Sequence, residues 1–470
     1  MMRIRPLALA LSASLITACA PTVGTPSGVA SGGPAGVSPR QPTLDIKQFT
    51  LKNGLKVAIV EQHHAPVVTL NITYNVGSRD ERPGRTGFAH LFEHMMFQGS
   101  ENVGKAEHFM LINDYGGSMN GSTSFDRTNY FQTVPANQLE MVLFLEADRM
   151  RSLDISQENL DNQRNAVQEE RRLRYDNRPY GTTIERVMNL AYDNFAYKHS
   201  TIGSMADLNA ATRDDVASFF KAYYAPNNAW LVLIGDIKAE TALPLIEKHF
   251  GAIPAVSLQP IPDLTEKKDK GERRQEYTDP MAPLPQLTMA MPTVPGNHPD
   301  YFALDMLSTI LGGGESSRLY QSLVKEQQLA TNAWAGVMGI RGDGPLFVQA
   351  NAAPGKTPQE LEVALNAQLD RIMKEPVSDA ELKRALTGLR AQLVGELETS
   401  MYLSMRMGEH SVYFNDPTWI NQMPGKYAQV TVADIQRVAN TYLKPTNRAI
   451  LTILAGKAAP GAQAQPPAGK

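Results

Sequence analysis

The sequence repeats part of itself at a constant offset, and this duplication limits the folds that the chain can adopt. A threonine, a tyrosine, a proline and an asparagine recur in the same order 219 positions later. The matched pairs are Thr212 and Thr431, Tyr223 and Tyr442, Pro226 and Pro445, and Asn228 and Asn447. Each copy predicts a helix capped by threonine, a turn that contains proline, and a buried strand. Because a chain of 470 residues is also too long for one ordinary core, we predict two homologous domains.

The predicted domain boundaries follow from the two copies and from local composition. Because each copy closes its half, residues 44–255 are predicted to form the first domain and residues 276–457 the second. Residues 256–275 lie between them and end in the hydrophilic run 266–275, which predicts a linker. The tail, residues 458–470, is rich in Gly, Pro and Ala, which is typical of a flexible segment.

Helical and strand patterns are mixed in the first half without strict alternation. Helices are predicted over 85–97, 105–115, 137–151 and 156–175, and extended segments over 51–60, 67–74 and 123–134. This mixture predicts an α+β fold in each domain, with helices packed on one face of a largely antiparallel sheet.

The first residues have the layout of a secretory signal peptide. Two arginines precede a short apolar run, so residues 1–18 are predicted to be removed. The alternative, a transmembrane anchor, needs roughly 20 apolar residues, and this run is shorter. Leu15 to Cys19 resembles the bacterial lipobox, which implies a lipid on Cys19, the only cysteine, followed by a flexible tether over 19–43. By the same resemblance, Ala20 in place of aspartate implies the outer membrane, on its periplasmic side.

His90, Glu93 and His94 form the pattern that carries chemistry. On a helix, the two histidines lie about 40° apart and Glu93 lies about 60° to the other side of His90, so all three share a face. Two imidazoles one turn apart suit a tetrahedral zinc, and a nearby carboxylate can accept a proton from water. This is the reversed order of the zincin motif. The alternative is a chance cluster, but burying three ionisable groups without a metal or partners is costly.

The third ligand is predicted on the helix over 156–175, which offers Glu158, Glu169 and Glu170. Glu170 is predicted at the centre of the apolar face of this helix, while Glu169 lies at its edge. The apolar residues that define this face are Leu160, Ala166, Val167 and Leu173. We therefore predict Glu170 as the ligand and Glu169 as a solvated neighbour.

Residues 44–456 resemble the insulinase/pitrilysin family, in its short form related to the mitochondrial processing peptidase. The family places its third zinc ligand at the spacing of Glu170, 76 residues after His94. The resemblance thus implies one Zn²⁺ held by both histidines and Glu170, with Glu93 as the catalytic base. Seven residues before Glu170, where the family often carries an acid, this chain has Gln163.

Asn120, Gly121, Ser122 and Thr123 resemble the strand to which substrates bind in this family. The family has alanine where this chain has Gly121. The resemblance implies that a peptide adds to the edge of this strand through its backbone, so that its side chains matter little. A hairpin turn that binds no substrate is the alternative for this stretch.

The second half lacks the metal pattern, because Leu304 and Ser308 align with the two histidines. In active members of the family, this half supplies an arginine and a tyrosine that hold the substrate. Here Val324 and Thr331 stand at those positions. Valine and threonine cannot supply the charge and the phenol donor that stabilise a developing oxyanion, so the resemblance implies a heterodimer whose partner carries the Arg and Tyr pair. A homodimer in which other residues compensate is the alternative.

The sequence therefore predicts a zinc metalloendopeptidase that acts on peptides or unfolded polypeptides in the bacterial periplasm. A scaffold subunit and a lipid-tethered peptide-binding protein are the alternatives, and both would be expected to lose the motif that this chain retains. The net charge of −3 lacks the basic excess that is typical of nucleic-acid-binding proteins. The other histidines, including His199 and His410, have no ligand spacing and are predicted to be structural or solvated.

Overall fold

The structure is a computed structural model that describes residues 43–456. This part of the chain is built around two β-sheets. The predicted signal peptide, the lipidated Cys19, nearly all of the tether and the tail lie outside the described residues. Within the described residues, no helix is long and apolar enough to cross a membrane.

The first half contains six strands and nine α-helices among the described residues, besides short 3-10 and π-helical turns. The strands are β1 (Lys47–Thr50), β2 (Lys56–Glu61), β3 (Val67–Tyr74), β4 (Ser118–Thr123), β5 (Thr128–Pro135) and β6 (Ala229–Gly235). The helices are α1 (Phe88–Met95), α2 (Glu107–Asp114), α3 (Leu139–Arg151), α4 (Gln157–Arg171), α5 (Thr183–Ala191), α6 (Phe195–Lys198), α7 (Met205–Ala210), α8 (Arg213–Tyr223) and α9 (Ala239–Phe250). The strand order is β1-β2-β6-β3-β5-β4, and only β2 and β6 pair in parallel.

The second half contains five strands and six α-helices in the described range, besides one π-helical and one 3-10 turn. The strands are β7 (Arg273–Asp279), β8 (Gln286–Pro292), β9 (Ala330–Val337), β10 (Pro345–Ala352) and β11 (Ala449–Ala455). The helices are α10 (Pro299–Gly312), α11 (Pro358–Lys374), α12 (Asp379–Leu397), α13 (Ser400–Phe414), α14 (Trp419–Ala428) and α15 (Val432–Tyr442). The order β7-β11-β8-β10-β9 reproduces that of the first sheet without β1, and again only the first pair is parallel. The predicted α+β fold with two homologous, largely antiparallel sheets is confirmed.

The duplicated sequence forms the same closing unit in both halves. Thr212 and Thr431 each accept a hydrogen bond from the backbone three residues later and complete a capping box with an aspartate, which starts α8 and α15. Asn228 donates to the carbonyl of Tyr223 at 2.8 Å, and Asn447 donates to that of Tyr442 at 3.1 Å. The repeated Asn therefore ties the end of the helix to the turn that leads into the last strand.

Each half covers the second face of the other half's sheet with one helix. α5 of the first half packs on β8 and β11, where Val187 and Met188 meet Leu451 and its neighbours. α13 of the second half packs on β3 and β6, where Leu403 and Met407 join the apolar side chains of that sheet. The two halves are therefore joined by exchanged helices as well as by the connecting segment.

The structure also corrects two local expectations. The extended segment predicted over 123–134 is a hairpin, because the chain turns between β4 and β5 at Ser124 and Arg127. The predicted linker, 256–275, is not simply solvated. Its Glu266 side chain is buried, accepts hydrogen bonds from the backbone of residues 193 and 194, and pairs with Lys270, while β7 begins at Arg273.

Candidate metal centre

His90, His94 and Glu170 come together in a cavity of about 390 Å³, between α1, α4 and β4. The Nε2 atoms of the two histidines lie 3.7 and 3.3 Å from the same oxygen, Oε2 of Glu170. Among the described residues, this is the only group of His, Cys, Asp or Glu side chains with the geometry to hold a metal ion.

The spacing of these atoms fits zinc. Two ligand atoms, each about 2.0–2.1 Å from a tetrahedral zinc, lie about 3.3–3.4 Å apart, close to both distances from Glu170 Oε2. Two imidazoles and one carboxylate are also a donor set of catalytic zinc sites, which keep a fourth position open. His94 Nδ1 lies 3.3 Å from Oε1 of Gln163, so the amide at this position still orients the ligand as an acid would.

Glu93 lies beside the ligands without being one of them. The Thr123 hydroxyl donates to its Oε2 at 2.6 Å, which fixes the carboxylate against β4. A Cβ on Gly121 would lie 3.1 Å from the other oxygen, Oε1, closer than ordinary packing. Glycine in place of the family's alanine therefore leaves room for this carboxylate.

Burial and neighbouring charges shift the pKa values of the three candidate ligands in different directions. Burial, reinforced by the charge of His94, lowers the pKa of His90 to about 4 and keeps its imidazole neutral, the form that binds a metal. The hydrogen bond with His94 lowers the pKa of Glu170 and keeps it ionised. Burial opposes protonation of His94, but its contacts with Glu170 and Glu93 raise its pKa overall.

Burial lowers the pKa of His90 but has the opposite effect on the Glu93 carboxyl group. It raises the pKa of this carboxyl group, and the hydrogen bond from Thr123 only partly offsets the effect. A carboxylate whose pKa is raised toward neutrality is a better proton acceptor at neutral pH.

The N-terminus of α1 is anchored by residues to which sequence reasoning assigned no role. Gly87 begins the helix with φ of 84°, and a Cβ there would lie 2.5 Å from the carbonyl oxygen of Ile202. Because Gly87 has no side chain to accept hydrogen bonds, the buried Glu81 carboxylate accepts from the backbone N–H of Gly87 at 2.9 Å and of Ala89 at 2.8 Å. His199 lies 2.9 Å from the same carboxylate and is therefore structural, as expected. Glu81 has no recognisable signal in the sequence.

Of the three acids considered on α4, only Glu170 enters the cavity. Glu169 pairs with Arg172 at the surface, and Glu158 is exposed. Arg174 donates to Glu170 Oε1 at 2.7 Å, a contact that sequence reasoning missed.

The apolar face predicted for the helix over 156–175 is only partly present, because two of the four apolar residues that define it are exposed. Leu160 and Val167 are buried, but Leu173 is 61% exposed and Ala166 is also exposed. The face that carries Glu170 therefore borders the open side of the cavity rather than the core.

Asn120, Gly121, Ser122 and Thr123 line the same cavity. They belong to β4, the last strand of its sheet, so one edge of this strand pairs with no other strand among the described residues. Next to it, Met110 within α2 and Tyr115 directly after this helix expose apolar side chains. An extended peptide could therefore pair with β4 directly beside Glu93.

Two protein-family models match the chain. The model described as insulinase, peptidase family M16, matches residues 56–204, and the model described as peptidase M16 inactive domain matches residues 210–389. The first match includes the residues of the metal centre, and the second includes most of the second sheet.

Similar proteins cover nearly all of the described residues. Zinc protease PqqE of Helicobacter pylori is 32% identical over 403 residues, which is 85% of this chain and 90% of that protein. The mitochondrial-processing peptidase subunit beta of Lentinula edodes is 23% identical over 419 residues, 84% of this chain and 86% of that protein. The crystal structure of a protease from H. pylori superposes with a TM-score of 0.83 at 31% identity, covering 87% of this chain and 99% of that one.

These matches confirm the resemblance inferred from the sequence. They extend across both halves, and the named relatives are a zinc protease and a peptidase subunit. The chain belongs to the insulinase family of peptidases, family M16.

Proposed function

We propose that this chain is the zinc-carrying subunit of an endopeptidase that hydrolyses peptides or unfolded polypeptides. One observation carries the proposal: three metal ligands, a buried carboxylate and the free edge of a strand meet in a single cavity. A metal site or a strand edge alone would not require hydrolysis, but together these features provide a metal, a base and a place for an extended chain.

His90, His94 and Glu170 would hold the ion, one per chain. A zinc ion held there would supply Lewis acidity and would lower the pKa of a bound water to about 7. Glu93 then accepts the proton of the attacking water and passes it to the leaving amine. Thr123 holds the Glu93 carboxylate in place through its 2.6 Å hydrogen bond.

β4 would orient the substrate. A peptide that adds to this edge is held by its backbone, so the site favours extended chains over folded ones and depends little on side chains. Because Thr123 belongs to this strand and binds Glu93, the same element sets the position of both the peptide and the base.

The second half supports the proposal of a partner subunit. Val324 and Thr331 supply neither the positive charge of an arginine nor the phenol donor of a tyrosine, the two groups that would stabilise an oxyanion. Arg318 lies nearby in the sequence, but its guanidinium binds Glu381 through two contacts, at 2.7 and 3.1 Å. It is therefore not free to replace the missing arginine. We propose a heterodimer in which a second family member supplies the Arg and Tyr pair.

The test compares the purified chain with the same chain co-expressed with a family member that has the Arg and Tyr pair but lacks the zinc motif. Cleavage of a quenched peptide library is measured beside the zinc content. We expect the isolated chain to bind zinc yet cleave poorly, and the partner to restore cleavage. Full activity from the isolated chain would exclude the heterodimer, and no activity in either sample would exclude the peptidase.

We also propose that the protein is anchored to the outer membrane and faces the periplasm. The support is the signal-like start of the chain and the single cysteine in a lipobox-like setting. Acyl chains on Cys19 would hold the protein on the membrane, since each buried methylene contributes about 0.8 kcal/mol. Cys19→Ser should release the processed protein into the soluble periplasmic fraction, and retention on the membrane would contradict the anchor.

A further inference from the structure

The second half has a cavity at the position that corresponds to the metal cavity. The correspondence follows from the strand pairing in the two sheets. Trp230 on β6 and Ala449 on β11 are matched first, because they are separated by the 219 positions of the sequence repeat. In the first sheet the row across the strands is Trp230, Thr73, Asn129 and Ser122, and in the second it is Ala449, Ala290, Phe347 and Gly336. Ala335, Gly336 and Val337 on β9 therefore correspond to Gly121, Ser122 and Thr123 on β4. Those three residues of β9 line a cavity of about 270 Å³.

Four helices complete the walls of this second-half cavity, namely α10, α12, α13 and α14. Three acids reach it, Asp305 from α10, Glu396 from α12 and Glu409 from α13. Arg406 is the only Lys or Arg among its lining residues. The lining thus carries more negative than positive charge.

Arg406 is shared by two of the three acids. Its guanidinium contacts Glu396 at 3.0 Å and Glu409 at 3.3 Å. Arg127 approaches Glu409 to 3.9 Å but does not line the cavity. These two acids are therefore already paired with cations.

Asp305 is the acid without a cation. Its carboxylate accepts a hydrogen bond from the Tyr427 hydroxyl, and it forms no salt bridge with any described residue. Burial raises the pKa of Asp305 to about 6, although the hydrogen bond from Tyr427 and the charge of Arg406 oppose this shift, so the group is mostly ionised at neutral pH and poorly solvated. A cation in the cavity would relieve this cost.

The rest of the lining suits an organic cation better than a metal. Aromatic rings of Tyr301, Phe414 and Tyr427 border the space, and such rings attract ammonium groups. His410 also lines it, is 4% exposed, and has an Nδ1 atom with no hydrogen-bond partner in the described structure. Burial lowers the pKa of His410 to about 3, so this side chain is neutral and adds no competing charge. The acids here do not form a group with metal-binding geometry.

We propose that the second-half cavity binds a small molecule with a primary ammonium group, with Asp305 as the counter-ion and the aromatic side chains around its apolar part. A volume of about 270 Å³ is below the roughly 300–1,000 Å³ of drug-sized sites, so the ligand is small. Two sources share this chemistry, an alkyl amine and the free amino terminus of an amino acid or short peptide. Binding at this site does not depend on the peptidase function proposed above.

The first experiment uses the zinc-loaded full chain and isothermal titration in an amine-free buffer. The probes are n-butylamine, leucine amide, leucine and, as a neutral control, 1-butanol. We expect saturable binding of at least one amine at millimolar concentration or tighter, and binding of 1-butanol that is at least about tenfold weaker. A preference for butylamine indicates an alkyl amine as the ligand, and a preference for leucine amide or leucine indicates an amino terminus. Equal binding of butanol, or no saturable amine binding, overturns the proposal.

Variants then locate the site. Asp305→Asn should weaken amine binding at least about tenfold, which corresponds to the loss of about 1.4 kcal/mol. Asp214→Asn, which changes a carboxylate that is 89% exposed on α8, should leave it unchanged. Glu170→Ala should also leave it unchanged, which separates this cavity from amine binding at the metal centre. Undiminished binding by Asp305→Asn, or loss in Glu170→Ala, contradicts the assignment, and circular dichroism checks that each variant is folded.

Discussion

The two halves of the chain share one topology but differ in the helix that borders the central strands. In the first half, α1 presents His90, Glu93 and His94 to the cavity beside β4. In the second half, Leu304 and Leu307 stand where His90 and Glu93 do, and both are fully buried in the core. The face of the helix that carries the candidate metal ligands in one half therefore contributes two leucines to the core in the other.

This difference indicates how much stability from packing the first half forgoes at the candidate metal centre. Burying a leucine side chain contributes about 1.5–3 kcal/mol, so the second half gains packing energy at positions where the first half carries ionisable groups. α1 has 8 residues and relies on Glu81 to satisfy its first N–H groups. α10 has 14 residues and starts with its own cap at His298. The shared topology produces a cavity beside the edge strand of each sheet, and the side chains that line each cavity determine what it can bind.

The largest expected effect comes from removing the base in the first half. Glu93→Gln should retain zinc but lower turnover of the assembled enzyme by about 10²–10⁴-fold, because the amide cannot accept the proton. The matched change in the second half, Leu307→Ala, should instead cost about 2–5 kcal/mol of stability and leave the zinc content unchanged. Turnover near that of the wild type in Glu93→Gln would show that another group is the base.

The next effect is on metal affinity. Glu170→Ala should weaken zinc binding by at least about 100-fold, since even the loss of an outer partner of a ligand costs about 10–100-fold. Glu169→Ala, one residue away, should bind zinc normally because this side chain is 57% exposed and pairs with Arg172. Competition with a fluorescent chelator measures both constants. The reverse order would mean that α4 presents its other face to the ion.

The smallest effect is expected in the second-half cavity and appears as a dependence of stability on pH. The pKa of Asp305 is raised from 3.8 to about 6 in the folded protein, so folding favours its protonated form. This contribution is complete below pH 3.8 and is lost as the pH rises through 6, by at most about 3 kcal/mol. Asp305→Asn should therefore gain stability relative to the wild type between pH 4 and pH 6.5, in amine-free buffer. Denaturant titrations at several pH values measure the difference, and parallel curves for the two proteins would contradict it.

Sequence reasoning succeeded where the spacing itself carries the geometry. His90, Glu93 and His94 share a face because a helix has a fixed period, and the repeated Thr and Asn predicted the same closing unit twice. Glu170 lies beside both histidines, although its apolar neighbours Ala166 and Leu173 are exposed. A helical wheel shows which residues share a face, but it does not show whether that face meets a core or an open cavity.

Features that depend on the meeting of distant segments could not be predicted. The exchange of α5 and α13 requires knowing which sheet each amphipathic helix covers, and its periodicity is the same in either case. Glu81 caps α1 through backbone N–H groups, which have no residue-specific signal. Asp305 joins Glu396 and Arg406 in one cavity only because α10, α12 and α13 pack together there.

We propose that one zinc, held by the first half alone, is responsible for peptide hydrolysis. The most direct measurement removes the metal with a chelator, returns zinc in steps to the chain assembled with its partner, and records bound zinc and peptide cleavage in the same samples. We predict that cleavage rises in proportion to bound zinc and reaches its maximum at one equivalent per chain. Cleavage that persists without zinc, or that needs a second equivalent per chain, would contradict the claim.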